Sequence, residues 1–269
     1  MNGSTEALAY IGCIGSAMTA IYSETPQRFP QFLISNSSLI DSSLALFDRF
    51  CYNTGKGDDT VTKKQIALLA VEALKAEYPD SICSLEYTDP LQCLVATRLS
   101  AQCTDARVNM VTPALFSRYQ SAADFAESTP EEVAEYIKSC GLYKTKSKDI
   151  VAMARVLCDR YDGEVPHTLD ELTALPGIGR KTANLVMGDI FGMPGAVVVD
   201  THCIRITRRL GLHSETDQKK IETILRGLLP ANESNNFCHR LVLHGRAVCT
   251  ARKANCDACC MQDFCRKKP

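Results

Sequence analysis

Apolar residues recur at helical spacing along most of the chain. Thr62 and Gln65 form a capping box, and the apolar positions behind it follow the three- and four-residue spacing of one helix face. Thr129 and Glu132 form a second box, with Pro130 at the first helical position. The same spacing predicts further helices over residues 150–161, 168–175, 183–190, 204–210 and 221–228.

Only residues 196–199, a run of alanine and valine, have an extended pattern, and the run is too short to imply a sheet. The pattern therefore predicts an all-α fold. Gly141 follows the helix of the second capping box and is predicted to end it. The polar stretch 53–59 is the best candidate for a linker. Residues 1–61 carry no chemical motif and are interpreted as an N-terminal extension of unknown role.

The charge is nearly balanced overall but unevenly distributed. The chain has 269 residues, 45% of them hydrophobic and 23% charged, with a net charge of −1. This composition excludes disorder as the main state and gives no overall basic field. Residues 1–61 carry three Lys/Arg against six Asp/Glu, whereas residues 240–269 carry seven against two. The C-terminal end is therefore a basic surface on a neutral protein.

The chain has fourteen cysteines, and its sequence shows no secretory signal. The first basic residue is Arg28, and the apolar stretch 10–22 is too short to span a bilayer. We therefore expect a cytoplasmic protein with reduced thiols and no membrane partner. In such a protein, scattered cysteines are small buried side chains and clustered cysteines more often bind metal.

Four cysteines are clustered in the last 21 residues, with the spacing C-x6-C-x2-C-x5-C. They are Cys249, Cys256, Cys259 and Cys265. Both tetrahedral zinc and an iron–sulfur cluster use four thiolates. Zinc sites usually show two short pairs, and only one pair is short here, which favours iron–sulfur. Arg252 and Lys253 lie between the first two cysteines and are candidates for phosphate contacts.

A Pro-Gly-x-Gly turn precedes the helix predicted over 183–190. Gly177 and Gly179 allow a tight turn whose exposed N–H groups, together with the helix N-terminus, suit a backbone phosphate. Alone, this motif is weak, because many helix–turn–helix corners contain it. Lys181 lies in the first helical turn beside Arg180, where the helix dipole and the neighbouring charge both disfavour its protonated form. A nucleophilic lysine needs such an environment.

Asp200 precedes the helix predicted over 204–210. An N-cap role is sufficient to explain it. The same position also keeps a carboxylate ionised, so Asp200 can stabilise a developing cation or accept a proton from an amine.

In this order and context, the motifs resemble the endonuclease III family, the iron–sulfur branch of the helix-hairpin-helix DNA glycosylases. The resemblance covers residues 62–269 and includes the lysine turn, Val-Asp-Thr-His at 199–202, Leu-His-Gly-Arg at 243–246 and the four cysteines. It implies a six-helix barrel domain over residues 83–194. It also implies an iron–sulfur cluster domain formed by residues 62–82 and 195–269, with the active-site cleft between the two domains.

The resemblance also implies a chemistry. Lys181 would attack C1′ of a damaged nucleotide and form a Schiff base, and β-elimination would cut 3′ to the lesion, with Asp200 assisting. Gln102 and Leu142 match the residues that fill the gap left by the flipped nucleotide. The four cysteines would hold a [4Fe–4S] cluster, and the partner would be duplex DNA with oxidised pyrimidines.

Two positions depart from the family pattern within residues 62–269. Cys103 stands beside Gln102 where the family usually has alanine, and the stretch from Lys181 to Asp200 is one residue longer, near Gly195. Either change could alter loop geometry at the cleft. Residues 1–61 have no counterpart in the family.

Three alternative functions are compatible with parts of the pattern. A monofunctional glycosylase of the same fold uses aspartate and water and lacks the lysine. A non-catalytic damage sensor needs neither Lys181 nor Asp200, and a zinc-stabilised structural protein would explain only the cysteines. We expect a cytoplasmic monomer, associated with the nucleoid if the source is bacterial.

Overall fold

This computed structural model describes residues 61–81 and 83–267. Most of its helices follow an N-cap residue whose side chain accepts a backbone hydrogen bond from the first turn. The helices of these ranges are α1 Lys63–Glu77, α2 Pro90–Ser100, α3 Asp105–Arg118, α4 Ala122–Glu127, α5 Pro130–Ile137, α6 Tyr143–Tyr161, α7 Leu169–Ala174, α8 Arg180–Asp189, α9 Thr201–Arg209, α10 Gln218–Leu228 and α11 Ser234–Ala247. A single 3₁₀ turn, Cys256–Ala258, lies in the C-terminal loop. Residues 1–60 of the predicted extension 1–61, which include the predicted linker 53–59, lie outside the described ranges.

The capping boxes at Thr62 and Thr129 are both present, so the sequence signals mark these helix starts correctly. Asp200 caps α9 as predicted. Within the described ranges no β-strand is found, and Cys249 and Ala254 form an isolated antiparallel bridge. The all-α prediction is therefore confirmed.

The predicted end of the second-box helix is wrong by one turn. Helix α5 ends at Ile137, and Lys138 is its C-cap, so Cys140 and Gly141 belong to the following turn. That turn leads into α6 through Leu142, whose backbone is left-handed, with φ +59°. The turn is thus a separate loop rather than the tail of a helix.

Buried side chains from all the long helices form one hydrophobic core. Helices α4 and α5 pack on α6, and α8 packs on α2, α7 and α11. Helix α1 packs on α10 and α11, which follow it by more than 140 residues. Helix α8, which carries Lys181, therefore contacts helices from both of the predicted domains.

No described helix is both long and apolar enough to cross a membrane.

Candidate active site

Lys181 lies in the first turn of α8, and its side chain is exposed. The chain reaches it through a tight turn in which the Ile178 N–H donates to the Leu175 carbonyl at 3.1 Å. No described residue forms a hydrogen bond or an ion pair with the Lys181 side chain. The amine is therefore free to meet a substrate.

Asp200 is the N-cap of α9 and is half-buried. Its Oδ1 atom accepts a hydrogen bond from the Cys203 N–H at 2.7 Å. This bond fixes the carboxylate at the positive end of the helix. Near the predicted extra residue, the Gly195 N–H donates to the Ala231 carbonyl at 2.7 Å and anchors the turn.

His202 connects Lys181 and Asp200 electrostatically. The pKa of His202 is lowered chiefly by burial, and further by the positive charges of Arg205, Arg246 and Lys181, while the charge of Asp200 opposes the shift. The Arg205 guanidinium donates to His202 Nδ1 at 3.1 Å. Because arginine only donates, Nδ1 is unprotonated and the ring is neutral, with its proton on Nε2. The charges of Lys181 and Asp200, the two predicted catalytic residues, thus both affect the pKa of His202, whose ring is neutral.

Helix α11 approaches this imidazole closely at Gly245. A Cβ atom built on Gly245 would overlap the His202 ring and would lie 2.8 Å from Arg205 Nη2. Only glycine leaves room for the ring here. The glycine of the Leu-His-Gly-Arg motif therefore has a packing role beside the site.

A network of ion pairs and hydrogen bonds fixes the first turn of α8. Arg180 Nε donates to Glu222 at 2.6 Å and Arg180 Nη2 donates to it at 3.0 Å. Arg226 pairs with the same carboxylate at 3.0 Å and donates to Asn184 Oδ1 at 2.9 Å. The Asn184 amide returns to the Arg180 carbonyl at 3.2 Å. Arg180 is thus paired with a buried carboxylate that it shares with Arg226.

The two glycines of the turn differ in their surroundings. Gly177 has φ +75°, and a Cβ there would lie 2.8 Å from Asp149 Cβ and 2.9 Å from Arg98 Nε. Gly179 has an ordinary φ of −93°, with nothing within 4 Å of a built Cβ. Gly177 is therefore required by the fold, whereas Gly179 leaves the helix N-terminus open to an approaching group.

Gln102 and Leu142 lie on two loops that touch each other. Both residues are exposed and have a left-handed backbone, with φ +54° and +59°. A Cβ on Gly141 would lie 3.1 Å from the Gln102 carbonyl oxygen. Strained backbone of this kind persists only where the surrounding structure enforces it, and it is concentrated at functional sites. The two residues predicted to enter DNA thus form one exposed pair.

The four clustered cysteines line a single cavity of about 280 Å³. The pKa of Cys259 is raised by burial and then by the charges of Cys249, Cys265 and Cys256, so the four thiols lie close enough to interact. Within residues 61–81 and 83–267, no three Cys, His, Asp or Glu side chains are arranged to hold a metal ion. Four thiols around a shared cavity are a donor set that both an iron–sulfur cluster and a tetrahedral zinc ion use.

Two hydrogen-bond donors reach sulfur atoms of the clustered cysteines. Arg209 Nη1 donates to Cys249 Sγ at 3.2 Å, and the Met261 N–H donates to Cys259 Sγ at 3.4 Å. Such bonds to sulfur are typical around iron–sulfur clusters. Cys260 is not among the residues that line the cavity.

The cysteine loop is also joined to the helix that Asp200 caps. Arg205 on α9 donates twice to the Cys249 carbonyl, at 3.1 and 2.9 Å. Between Cys249 and Ala254 the chain turns back on itself, and Arg252 and Lys253 are exposed on this turn. The turn can therefore present two cations to a phosphate backbone while remaining fixed to the site.

The structure adds four residues to the site that the sequence analysis did not assign. His202 belongs to the Val-Asp-Thr-His motif, but the neutral state of its ring depends on Arg205 and on burial. Glu222, Arg226 and Asn184 form the contacts behind Arg180, and Glu222 follows Arg180 by 42 residues. A glutamate four residues before an arginine on one helix face was the only local signal.

Comparison with known proteins identifies the fold and the family. Residues 95–231 match the model of the HhH-GPD superfamily base excision DNA repair proteins. The chain is 47% identical over 204 residues to endonuclease III of Synechocystis sp., which covers 76% of this chain and 93% of that protein. It is 38% identical over 195 residues to endonuclease III of Escherichia coli strain K12, covering 72% and 92%.

A solved structure of a trapped covalent intermediate between endonuclease III and DNA superposes with a TM-score of 0.72. It is 39% identical in sequence, and the match covers 77% of this chain and 97% of that one. The family model spans half of this chain, and both relatives match over nearly their whole length. The chain therefore belongs to the HhH-GPD superfamily of base excision DNA repair proteins, as a homologue of endonuclease III.

Proposed function

We propose that Lys181 is the nucleophile of this base excision repair enzyme, a bifunctional DNA glycosylase and AP lyase. The observation that carries the proposal is the exposed Lys181 side chain at the N-terminus of α8, which forms no hydrogen bond or ion pair with a described residue. Such an amine can attack carbon once it has lost its proton, because no internal ion pair holds it as an ammonium.

The reaction requires bond and proton transfers that these residues can supply. Lys181 Nζ attacks C1′ of the damaged nucleotide, and the glycosidic bond breaks with its electron pair leaving on the base. Asp200 stabilises the positive charge that develops on the sugar and accepts a proton from the attacking amine. The C1′–O4′ bond of the sugar ring then opens, O4′ takes up a proton, and C1′ and Nζ form a protonated Schiff base. The Schiff base acidifies the C2′ proton, whose loss expels the 3′ phosphate and cuts the strand.

A base within a duplex is out of reach of Lys181, so the nucleotide must first leave the stack, at a cost of a few kcal/mol. Leu142 is 55% exposed and serves as the apolar wedge that keeps the gap open. Gln102, beside it, offers an amide to the orphaned partner base. Oxidised and ring-saturated pyrimidines stack poorly and are the substrates we propose.

Two surfaces hold the bent backbone of the damaged duplex DNA. Gly177, Gly179 and the N–H groups at the start of α8 bind one phosphate, with Arg180 beside it. Two of the guanidinium donors of Arg180 already bind Glu222, so its contribution is chiefly to shape this seat. Arg252 and Lys253 bind a second phosphate from the cysteine loop.

A [4Fe–4S] cluster bound by Cys249, Cys256, Cys259 and Cys265 completes the C-terminal region. Its role is to supply folding energy to a loop with little apolar core, and no step of the reaction passes through it. Residues 62–82 and 195–269 form the cluster domain and residues 83–194 the six-helix barrel. The enzyme acts as a cytoplasmic monomer, on the nucleoid in a bacterial cell, and the role of residues 1–61 is left open.

Borohydride trapping tests the nucleophile. A duplex with one thymine glycol is incubated with wild type, Lys181→Ala and, as a matched control, Lys148→Ala, which removes another exposed lysine. We expect a covalent protein–DNA band with wild type and the control and none with Lys181→Ala. A band with Lys181→Ala would assign the imine to another amine. Base release without strand cutting by wild type would indicate a monofunctional glycosylase.

The cluster and its loop have separate tests. Iron and sulfide analysis of Cys256→Ser should show loss of the cluster, whereas Cys260→Ser should retain it. Replacing both Arg252 and Lys253 by alanine should weaken binding to any duplex and flatten its salt dependence, because fewer counterions are released. Arg160→Ala, at the far end of α6, is the control for removal of an exposed cation.

A further inference from the structure

Two cysteines join the loops that carry Gln102 and Leu142. Cys103 follows Gln102 in the α2–α3 loop, and Cys140 precedes Gly141 and Leu142 in the α5–α6 loop. The Cys103 thiol contributes to raising the pKa of Cys140, so the two side chains are close enough to interact. Both are free cysteines, and the backbones beside them are also in contact at Gly141 and Gln102.

The two thiols differ in access to solvent. Cys103 is half-buried, whereas Cys140 is only 1% exposed. Burial, followed by the neighbouring Cys103 thiol, raises the pKa of Cys140 to about 11. A small oxidant reaches Cys103 first, and Cys140 then lies in position as the second thiol.

Positive charge next to the pair favours the first step. Lys146 is fully buried, and its Nζ donates to the Leu99 carbonyl at 2.7 Å. Its charge acts on both thiols, and Arg107 acts on Cys140 in the same direction. The thiolate is the form of cysteine that attacks a peroxide, and these cations lie near the place where it would form.

We propose that Cys103 and Cys140 form an oxidation site at which a hydroperoxide creates a reversible disulfide between the two loops. The Cys103 thiolate attacks the peroxide oxygen, giving a sulfenic acid and releasing hydroxide, which takes up a proton. The Cys140 sulfur then attacks the Cys103 sulfur, and the sulfenic oxygen leaves as water. In total, two thiols are oxidised and one hydrogen peroxide is reduced to two waters.

The disulfide changes the geometry of the loops. Its sulfur atoms are about 2.05 Å apart, much closer than two unbonded sulfur atoms can approach, so oxidation draws the two loops together. Gln102 and Leu142 are direct neighbours of the bonded region and must move with it. This consequence for DNA rests on the proposed function of these two residues, whereas formation of the disulfide does not.

A second thiol pair provides the matched control. Cys203 and Cys238 also interact, but they are 0% and 3% exposed. Because both of these thiols are buried, peroxide should not reach them or oxidise them. The difference between the two pairs therefore tests access to Cys103 rather than the general sensitivity of cysteine.

The test uses the full holoprotein, treated with a slight molar excess of hydrogen peroxide and then with iodoacetamide. Peptide mapping without reductant should show a cross-linked peptide containing Cys103 and Cys140, with loss of two hydrogen atoms, and a free thiol reductant should remove it. Cys103→Ala should give no such peptide. Alkylated Cys103 and Cys140 in place of the cross-link, or an equally frequent Cys203–Cys238 link, would overturn the proposal.

Excision is measured on the same samples, with the visible absorbance recorded to follow the [4Fe–4S] cluster. Oxidised wild type should excise thymine glycol at least ~10-fold more slowly than reduced wild type, because a displacement of about 1 Å at such a site is costly. Cys103→Ala should be insensitive to the same treatment. A cross-linked enzyme with unchanged excision would refute the effect on the loops. Reduced wild type without any excision would instead refute the proposed function and leave the mapping result intact.

Discussion

Glu222 holds Arg180 with both carboxylate oxygens, at 2.6 and 3.0 Å, while its own side chain is only 3% exposed. The pair joins the first turn of α8 to α10, directly beside Lys181. Removing one partner of a buried ion pair is strongly destabilising, because the other charge is left uncompensated.

Glu222→Gln should therefore lower the free energy of unfolding by about 2 kcal/mol, since both Arg180 and Arg226 lose their carboxylate while water still reaches their guanidinium groups. Urea denaturation measures this change. Glu215→Gln is the control, because Glu215 meets Lys220 at 3.8 Å on the surface and should cost less than about 1 kcal/mol. Equal losses in the two variants would show that Glu222 has no special part in holding α8.

The two glycines of the turn should separate folding from DNA binding. Gly177→Ala should lose about 1–3 kcal/mol of stability, because alanine is strained at φ +75° and its Cβ would collide with Asp149 and Arg98. Gly179→Ala should leave stability almost unchanged, since its φ is ordinary and its surroundings are open. It should nevertheless weaken duplex binding, because the new methyl group occupies the phosphate seat.

Denaturation and binding titrations on both variants check this prediction. Normal affinity in Gly179→Ala would indicate that no phosphate approaches this turn.

Local signals in the sequence were sufficient for much of the fold. Thr62 and Thr129 mark helix starts because a capping box involves residues only three apart. Asp200 was identified as an N-cap for the same reason. Helix ends were harder to predict: α5 stops at Ile137, and Gly141 has its packing partner, Gln102, on a different loop. That contact is not encoded near Gly141.

The candidate site also combines residues that local motifs identify with residues that depend on contacts distant in sequence. Lys181, Asp200 and the four cysteines lie in motifs that can be identified by spacing, whereas Glu222 and His202 act through partners far away in sequence. The pairing of Cys103 with Cys140 is also nonlocal, because two loops must meet before the thiols do. Contacts of this kind follow from tertiary packing, which one sequence alone does not reveal.

His213 should make the protein less stable in mild acid. Burial, together with the charges of Arg208 and Lys63, lowers its pKa from the ordinary value of 6.5. The Thr207 hydroxyl donates to the Cys203 carbonyl, so His213 Nε2, 2.8 Å from that hydroxyl, is the donor of their bond.

The unfolded chain takes up a proton at His213 near pH 6.5, and the folded chain does so only at lower pH. The free energy of unfolding therefore falls as the pH decreases below about 6.5, by up to about 1.4 kcal/mol per unit for this one group. Urea denaturation at pH 7.5 and 5.5 should show a smaller loss in His213→Gln than in wild type. An identical loss would assign the acid sensitivity to other groups.

Leu142 should show a conflict between stability and activity. Its backbone is left-handed at φ +59°, which costs leucine roughly 1–2 kcal/mol and costs glycine almost nothing. Leu142→Gly should therefore keep or raise the free energy of unfolding. It should also slow excision from duplex DNA strongly, because the apolar wedge is gone. Asp162→Gly is the matched control, since Asp162 has the same backbone conformation, φ +51°, at the C-cap of α6.

Asp162→Gly should be stabilised to a similar degree, with excision unchanged. Single-turnover excision of a lesion in duplex and in single-stranded DNA distinguishes the wedge from a general effect. A wedge is needed only where a gap must be held open in a base stack, so the loss in Leu142→Gly should be confined to the duplex. An equal loss on single strands would mean that Leu142 contacts the flipped nucleotide itself, and the wedge role would be wrong.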